Sequence, residues 1–312
     1  MEKRKLGNSG LEVSVVGLGA NNFGGRIDLE ATRRVVHKAL DLGVTLIDTA
    51  DTYNSGGSED LLGQILGEQR RQVVLATKFG MATDGSRSLA GASHGYITRA
   101  VEGSLKRLRT DWIDLYQLHR PDPATPIEET LRALDDLVRQ GKVRHIGCSN
   151  MSGAQVEEAQ RTAQQGRLTP FASAQDRYSL LERGIEQELV PIVQSNGMAL
   201  LPYFPLASGL LSGKFKRGAP LPPNTRMSLQ RYSDRFVNDR NWRLIGELDA
   251  FARRRGHTLL ELAFGWLLGQ PAVASIPAGA STPEQLEQNV RAAACKLSAE
   301  ELAEADRITS ER

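Results

Sequence analysis

Eight short apolar or β-branched runs recur along this 312-residue chain, each divided from the next by a stretch with helical periodicity. They are Val15–Gly19, Thr45–Asp48, Val73–Thr77, Asp114–Leu118, Val143–Cys148, Phe171–Ala174, Ala199–Tyr203 and Ala272–Ile276. Helical stretches fall between them at Leu29–Leu42, Ser58–Gly67, Thr98–Leu108, Ile127–Gln140, Gln155–Gln165, Leu181–Gln194, Trp242–Arg255 and Leu259–Leu268. Eight strand–helix alternations suit an α/β fold closed as a (β/α)8 TIM barrel better than an open doubly wound sheet. Because the runs span the chain, residues 1–312 are expected to form one domain. A small N-terminal β-hairpin is expected over Arg4–Ser14, turning at Asn8–Ser9–Gly10. A long loop follows the seventh strand, from about Ala207 to Asn238. Helices at Pro283–Ala294 and Ala299–Ile308 close the chain, the second of them an extra C-terminal helix. Acids early and bases late, as in Glu128, Glu129 and Arg139 of one helix, agree with the helix dipole.

Composition excludes several classes. With 40% hydrophobic and 24% charged residues and 30 glycines, the chain has material for a large core and is not a disordered, collagenous or disulfide-stapled protein. Its 39 Lys and Arg against 37 acids, net +2, give no basic stripe for nucleic acid. Nothing approaches 18 uncharged apolar residues, so no membrane span is expected. The basic start MEKRKLGNSG has no apolar segment behind it, unlike a signal peptide. Cys148 and Cys295 are too few for a disulfide framework, which suits a reducing cytoplasm.

Barrel chemistry gathers at the C-terminal ends of strands. That rule selects Asp48, Tyr53 just beyond it, Lys78, His119, Ser149–Asn150, Gln175, Tyr203 and Gly279–Thr282. An ammonium near a phenol stabilises phenolate, and a hydrogen-bonded imidazole polarises the same oxygen. Asp48, Lys78, Tyr53 and His119 together therefore form an intelligible acid site beside a carbonyl oxygen. Singly, each has a structural reading: an Asp–Lys pair across strands, a packing Tyr, a turn His. Gly17–Leu18–Gly19 lacks the third glycine of a dinucleotide fingerprint and reads as a tight turn into a substrate loop holding Asn21, Asn22 and Phe23. Phe79 and Tyr116 are weaker pocket candidates, Tyr116 equally a core residue. Cys148 reads as a small buried core residue.

The stretch Gly43–Tyr53, followed by Gly57–Ser58–Glu59 and Leu62–Gly63, together with Leu118–His119–Arg120–Pro121 and Ile146–Gly147–Cys148–Ser149–Asn150, resembles the signatures of the aldo-keto reductase family over nearly the whole chain. The resemblance implies Tyr53 as general acid, Lys78 lowering its pKa, Asp48 pairing with Lys78, and His119 orienting the carbonyl and sharing the proton work, with no metal. It implies a nicotinamide cofactor held by Ser149, Asn150 and Gln175 and stacked on Tyr203. The segment Ile276–Gln285, with Gln288 and Asn289, would wrap its adenosine and 2′-phosphate, with Gly279, Ser281 and Gln285 in contact. Gly279 and Gln285 stand where many members carry Lys and Arg. In that respect the chain is similar to the branch of potassium-channel β-subunits and their bacterial relatives. By the same likeness Leu206, Ser208, Gly209, Leu211 and Lys214 would strap the pyrophosphate. The expected cofactor is NADPH/NADP+, with NADH open, and the expected partner is a small carbonyl substrate.

Three readings follow: an NADP(H)-dependent aldehyde or ketone reductase, a cofactor-binding regulatory or redox-sensing subunit with little turnover, and a non-redox isomerase or lyase on the same barrel. Substrate identity rests in the loops Asn22–Asp28, Gly80–Gly95 and Ser212–Asn238. The glycines and serines of Gly80–Gly95 suggest mobility. The chain is expected to be a monomer or a homo-oligomer.

Overall fold

The computed structural model describes residues 1–81, 91–223 and 225–310. Its first element is the antiparallel hairpin β1 (Lys3–Lys5) and β2 (Glu12–Ser14), paired Lys3 to Ser14 through Lys5 to Glu12. The connection is a 3-10 turn at Gly7–Ser9 ended by Gly10 in the left-handed region. Gly7 has φ +55, and a Cβ there would sit 2.7 Å from the carbonyl oxygens of Ala172 and Gly197. The hairpin can therefore lie against the barrel only with glycine at that position. Its Leu6 and Val13 pack with Leu46, Ala76, Leu115 and Leu201 and seal the end of the barrel where the strands begin.

Eight parallel strands form the barrel: β3 (Val16–Gly19), β4 (Leu46–Asp48), β5 (Val74–Phe79), β6 (Ile113–Leu118), β7 (Val143–Ser149), β8 (Phe171–Arg177), β9 (Ala199–Tyr203) and β10 (Ile276–Gly279). They are hydrogen-bonded in the order β10-β3-β4-β5-β6-β7-β8-β9. Closure comes from a parallel bridge, Leu200 to Val273, in which Leu200 donates to Ala272 O at 2.7 Å and Ala274 to Leu200 O at 3.2 Å. The expected eighth strand, Ala272–Ile276, is thus displaced. Residues 272–274 stitch the barrel to β9, and the ladder to β3 starts at Ile276 opposite Val16.

Around the sheet stand α1 (Leu29–Asp41), α2 (Gly57–Leu66), α3 (His94–Leu108), α4 (Ile127–Arg139), α5 (Gly153–Gly166), α6 (Leu189–Ser195), α9 (Leu259–Gly269) and α10 (Pro283–Ala292), with α7 (Gln230–Phe236), α8 (Asp239–Arg254) and α11 (Ala299–Ser310) added to the repeat. In α4, Leu131, Leu134 and Leu137 form the buried stripe and acids open the first turn. The helix expected over Leu181–Gln194 is short because Pro191 lacks an N–H and is tolerated only in a first turn. Chain before it is held instead by the reciprocal Ser179–Glu182 bridge.

Phe79, Tyr116 and Phe23 are fully buried, with Phe79 and Tyr116 stacked at 4.6 Å, so these three belong to the core and not to a pocket. The long loop after β9 is built from 3-10 turns at Ala207–Ser212 and Arg226–Ser228 followed by α7. Residues 82–90 of the Gly80–Gly95 loop, and Asn224, lie outside the described residues. Among the described residues no helix is long and apolar enough to cross a membrane.

Close approach of α2 to α3 depends on Gly63, whose Cβ would stand 2.2 Å from Arg107 O and 2.8 Å from Leu108 C. Ala is favoured over Gly by about 1 kcal/mol inside a helix, but here the obstacle is backbone. Gly63→Ala is expected to lower stability by about 2 to 3 kcal/mol, read as a lower urea midpoint with unchanged slope. A midpoint at or above that of the parent chain would show that the helices separate freely.

Candidate active site

Strand register brings four polar side chains into one layer at the C-terminal end of the barrel. Asp48 closes β4, Lys78 lies in β5 opposite Gln117 of β6, and Gln175 lies in β8. All four are buried. Lys78 Nζ donates to both Asp48 oxygens at 2.8 Å and to Thr49 O at 2.9 Å. Gln117 and Gln175 donate to Asp48 Oδ1 at 3.3 and 3.1 Å. Burial by itself would drive Lys78 toward neutrality. The Asp48 carboxylate and the Tyr53 oxygen outweigh it, so its pKa stands above the ordinary lysine value.

Tyr53 follows β4 in the turn before α2. That turn is fixed by Thr49 Oγ1 against Ser58 Oγ at 2.8 Å and by Ser58 Oγ donating to Ala20 O at 2.8 Å. Lys78 Nζ reaches the Tyr53 hydroxyl at 3.5 Å. Burial lifts the Tyr53 pKa above its usual value, and Lys78 pulls against that rise without cancelling it. Lys78 thus acts in the expected direction, lowering the Tyr53 pKa, while burial raises it by more. His119 follows β6, its N–H donating to Phe79 O at 2.8 Å. Its ring stands edge-on to Tyr53 with centroids 6.0 Å apart. Burial, with Lys78 and Arg120 nearby, pushes His119 down to about 3, so the imidazole is neutral near pH 7 and offers one N–H and one lone pair.

A cleft of about 600 Å³ opens beside these groups and extends across the C-terminal rim. Of the residues selected from sequence, Asp48, Tyr53, His119, Ser149, Asn150, Gln175, Tyr203, Leu206, Ser208, Gly209, Lys214, Gly279, Ser281, Gln285, Gln288 and Asn289 line it, and Asn21 and Asn22 from the loop after β3 do so too. Lys78 stands behind this wall, and Leu211 is wholly buried in the core, its N–H spent on Leu206 O at 3.2 Å. Asn150 adopts φ +57, which Asn tolerates better than most residues. It bridges the wall by donating to His119 O at 2.9 Å and accepting from the Tyr203 hydroxyl at 2.5 Å.

Arg226 is the main residue that sequence reading did not place at the site. It donates to Asn21 Oδ1 at 2.7 Å and Asn22 Oδ1 at 3.1 Å, and lies over the rings of Phe204 and Tyr232. Asn22 in turn donates to Ser281 Oγ at 3.1 Å. Arg226, Arg26 and Lys214 thus bring cationic groups to one cleft wall. Burial and mutual repulsion lower the Lys214 pKa. The one signal available in sequence was the presence of bases in the long loop: Arg226, like Lys214, reaches the cleft lining, while Arg235 pairs with Glu182. Among the described residues no cluster of His, Cys, Asp and Glu could hold a metal ion.

An eight-stranded parallel barrel thus brings a phenol, a buried ammonium–carboxylate pair and a neutral imidazole to one cleft. The family model "Aldo/keto reductase family" matches residues 15–310, and the chain belongs to that family. It is 34% identical over 300 residues to a probable voltage-gated potassium channel subunit beta of Arabidopsis thaliana, covering 94% of this chain and 91% of the other. It is 36% identical over 320 residues to YrpG, an uncharacterized oxidoreductase of Bacillus subtilis, covering 96% and 93%. With the aldo-keto reductase YhdN of the same organism it shares 36% identity over 297 residues, covering 92% and 87%. Family membership supports a general oxidoreductase role of the carbonyl-reducing kind.

Proposed function

We propose that the protein reduces an aldehyde or ketone to an alcohol with NADP(H). The observation that carries this reading is the Lys78–Asp48 pair held within reach of the Tyr53 hydroxyl on the cleft wall. When bound, a reduced nicotinamide dinucleotide supplies the hydride. The cleft suits such a group: Ser208 Oγ is buried there with no hydrogen-bond partner among the described residues, Gly209 and Gly279 leave the wall free of side chains, and Lys214 and Arg226 bring positive charge to it. Asn150, Ser149 and Gln175 would hold the carboxamide beside Tyr203, while Lys214, Arg226, Ser281 and Gln285 would hold the phosphate and adenosine portions. Tyr53 keeps its proton at neutral pH and releases it to a substrate oxygen as negative charge gathers there. Lys78 then stabilises the phenolate, and Asp48 keeps the lysine charged and in place. Neutral His119 can donate to the same substrate oxygen and orient it. A reducing cytoplasm fits this chemistry.

Steady-state turnover of NADPH and NADH with aromatic aldehydes, methylglyoxal and aldoses tests the reading. Turnover of none of them with either nucleotide would remove it. Arg226→Ala is expected to weaken NADPH binding about tenfold or more, the value of one charge-assisted contact. Its hydrogen bonds to Asn21 and Asn22 go to neutral carboxamide oxygens and its guanidinium lies over two aromatic rings, so its charge is available to a phosphate. An unchanged dissociation constant in a fluorescence titration would place the phosphates elsewhere.

The relatives' names favour a second reading, a cofactor-holding regulatory or redox-sensing subunit, because a chain at 34% identity over nearly its full length is described as a channel subunit. Tight NADPH binding, negligible turnover and a co-purifying partner would support that reading against the first.

A further inference from the structure

Cys295, His257 and Glu301 come from three separate elements and meet outside the cleft. Cys295 follows α10, His257 precedes α9, and Glu301 lies in the first turn of α11. Cys295 Sγ stands 3.5 Å from His257 Nδ1, and His257 Nε2 stands 3.2 Å from Glu301 Oε1. With the imidazole proton on Nε2, both contacts are satisfied: Sγ–H donates to Nδ1 and Nε2–H donates to the carboxylate. None of the three lines the cleft.

The arrangement is held rigidly. His257 N–H donates to Ala252 O at 2.9 Å. Glu301 Oε2 accepts from Ser298 N at 2.7 Å while Glu301 N donates to Ser298 Oγ at 3.2 Å, a capping box that fixes the carboxylate. Partial burial, with Glu261 of α9 and Glu301 of α11 nearby, holds the thiol above its ordinary pKa, so Cys295 stands as a thiol and needs a base to react. His257 is the base in place, and Glu301 orients it and stabilises its protonated form.

We infer that Cys295 is a nucleophilic thiol with His257 as its general base and Glu301 as orienting group, a site for reversible modification by small disulfides. Sγ attacks one sulfur of R–S–S–R; the Cys295–sulfur bond forms as the S–S bond breaks. The thiol proton passes to His257 Nδ1 and from there to the departing thiolate, which leaves as R–SH. Histidine is suited to this because it receives the proton from the attacking sulfur and returns it to the leaving one. Cys295 is partly exposed, whereas Cys148 is 0% exposed, with its Sγ directed at Ser173 O. The second of the chain's 2 cysteines, Cys148, is closed off in the core, so the product is a mixed disulfide and not an internal one.

The test uses the full chain with 5,5′-dithiobis(2-nitrobenzoate), reading thionitrobenzoate release and locating the adduct by mass spectrometry. One fast equivalent per chain is expected at Cys295, absent in Cys295→Ser, with carbonyl turnover the same in that variant. His257→Gln should slow the reaction about tenfold or more, and Glu301→Gln, which keeps the cap but loses the charge, about threefold. Because His257→Gln could disturb α9, the pH–rate profile of the unmodified chain provides an independent check. A base-assisted thiol levels off once the imidazole is neutral. A rate that climbs tenfold per pH unit into the ordinary thiol range, a rate in folded His257→Gln equal to the parent's, or an adduct on Cys148 would each overturn the proposal.

Discussion

Tyr53→Phe is expected to leave NADPH affinity and stability in place and to lower turnover by about 10²- to 10⁴-fold, the range that a positioned general acid contributes. Lys78 keeps its two Asp48 contacts and Thr49 O when the phenol oxygen is removed, so the buried ammonium is not orphaned. The cleft also keeps its shape, since the ring remains edge-on to His119. His119 is a poor substitute, because a ring whose pKa is near 3 carries no acidic proton at neutral pH. The measurement pairs kcat on an aromatic aldehyde with a fluorescence titration of NADPH. Near-parent kcat in Tyr53→Phe would put the acid elsewhere. A parent chain that binds NADPH tightly and turns over nothing would instead favour the regulatory reading.

Much of the barrel is legible in the alternation of runs because buried parallel strands read as continuous apolar segments. The errors have local causes. Ala272–Ile276 is an apolar run, but only pairing partners decide which part is ladder, and Ile276 is where β3 comes alongside. The Leu181–Gln194 reading followed periodicity through Pro191, whose missing N–H sets where α6 can start. Asp48, Tyr53, His119 and Gln175 were accessible because strand ends and their following loops face the same rim, whatever the details of packing. Arg226 was not, since it sits in a loop without periodicity and reaches the cleft through Asn21 and Asn22, some 200 residues earlier in the chain. Phe79 and Tyr116 show the converse: proximity to a strand end does not say which face a side chain takes. The Cys295–His257–Glu301 contact had no sequence signal at all, as its members are ordinary residues until three helices pack.

Lys78→Met should be the most disruptive single change at the site, because it removes stability and chemistry together. Lys78 is 0% and Asp48 5% exposed. Breaking a buried pair by deleting one partner costs about 3 to 5 kcal/mol, most of it from the charge left behind. Gln117 and Gln175 still donate to Asp48 Oδ1, which softens the loss without supplying a countercharge. Turnover should fall as far as in Tyr53→Phe or further, since burial then raises the phenol pKa with no ammonium to oppose it. Adding Asp48→Asn to Lys78→Met separates the two effects. The double variant removes the unpaired charge and should recover about 2 kcal/mol or more of the lost stability, while turnover stays at the single variant's level. Chemical denaturation and kcat on the same three proteins give both readouts. Recovery of turnover along with stability would mean that the pair serves only to hold the barrel end together, and that the proton leaves Tyr53 without help from Lys78.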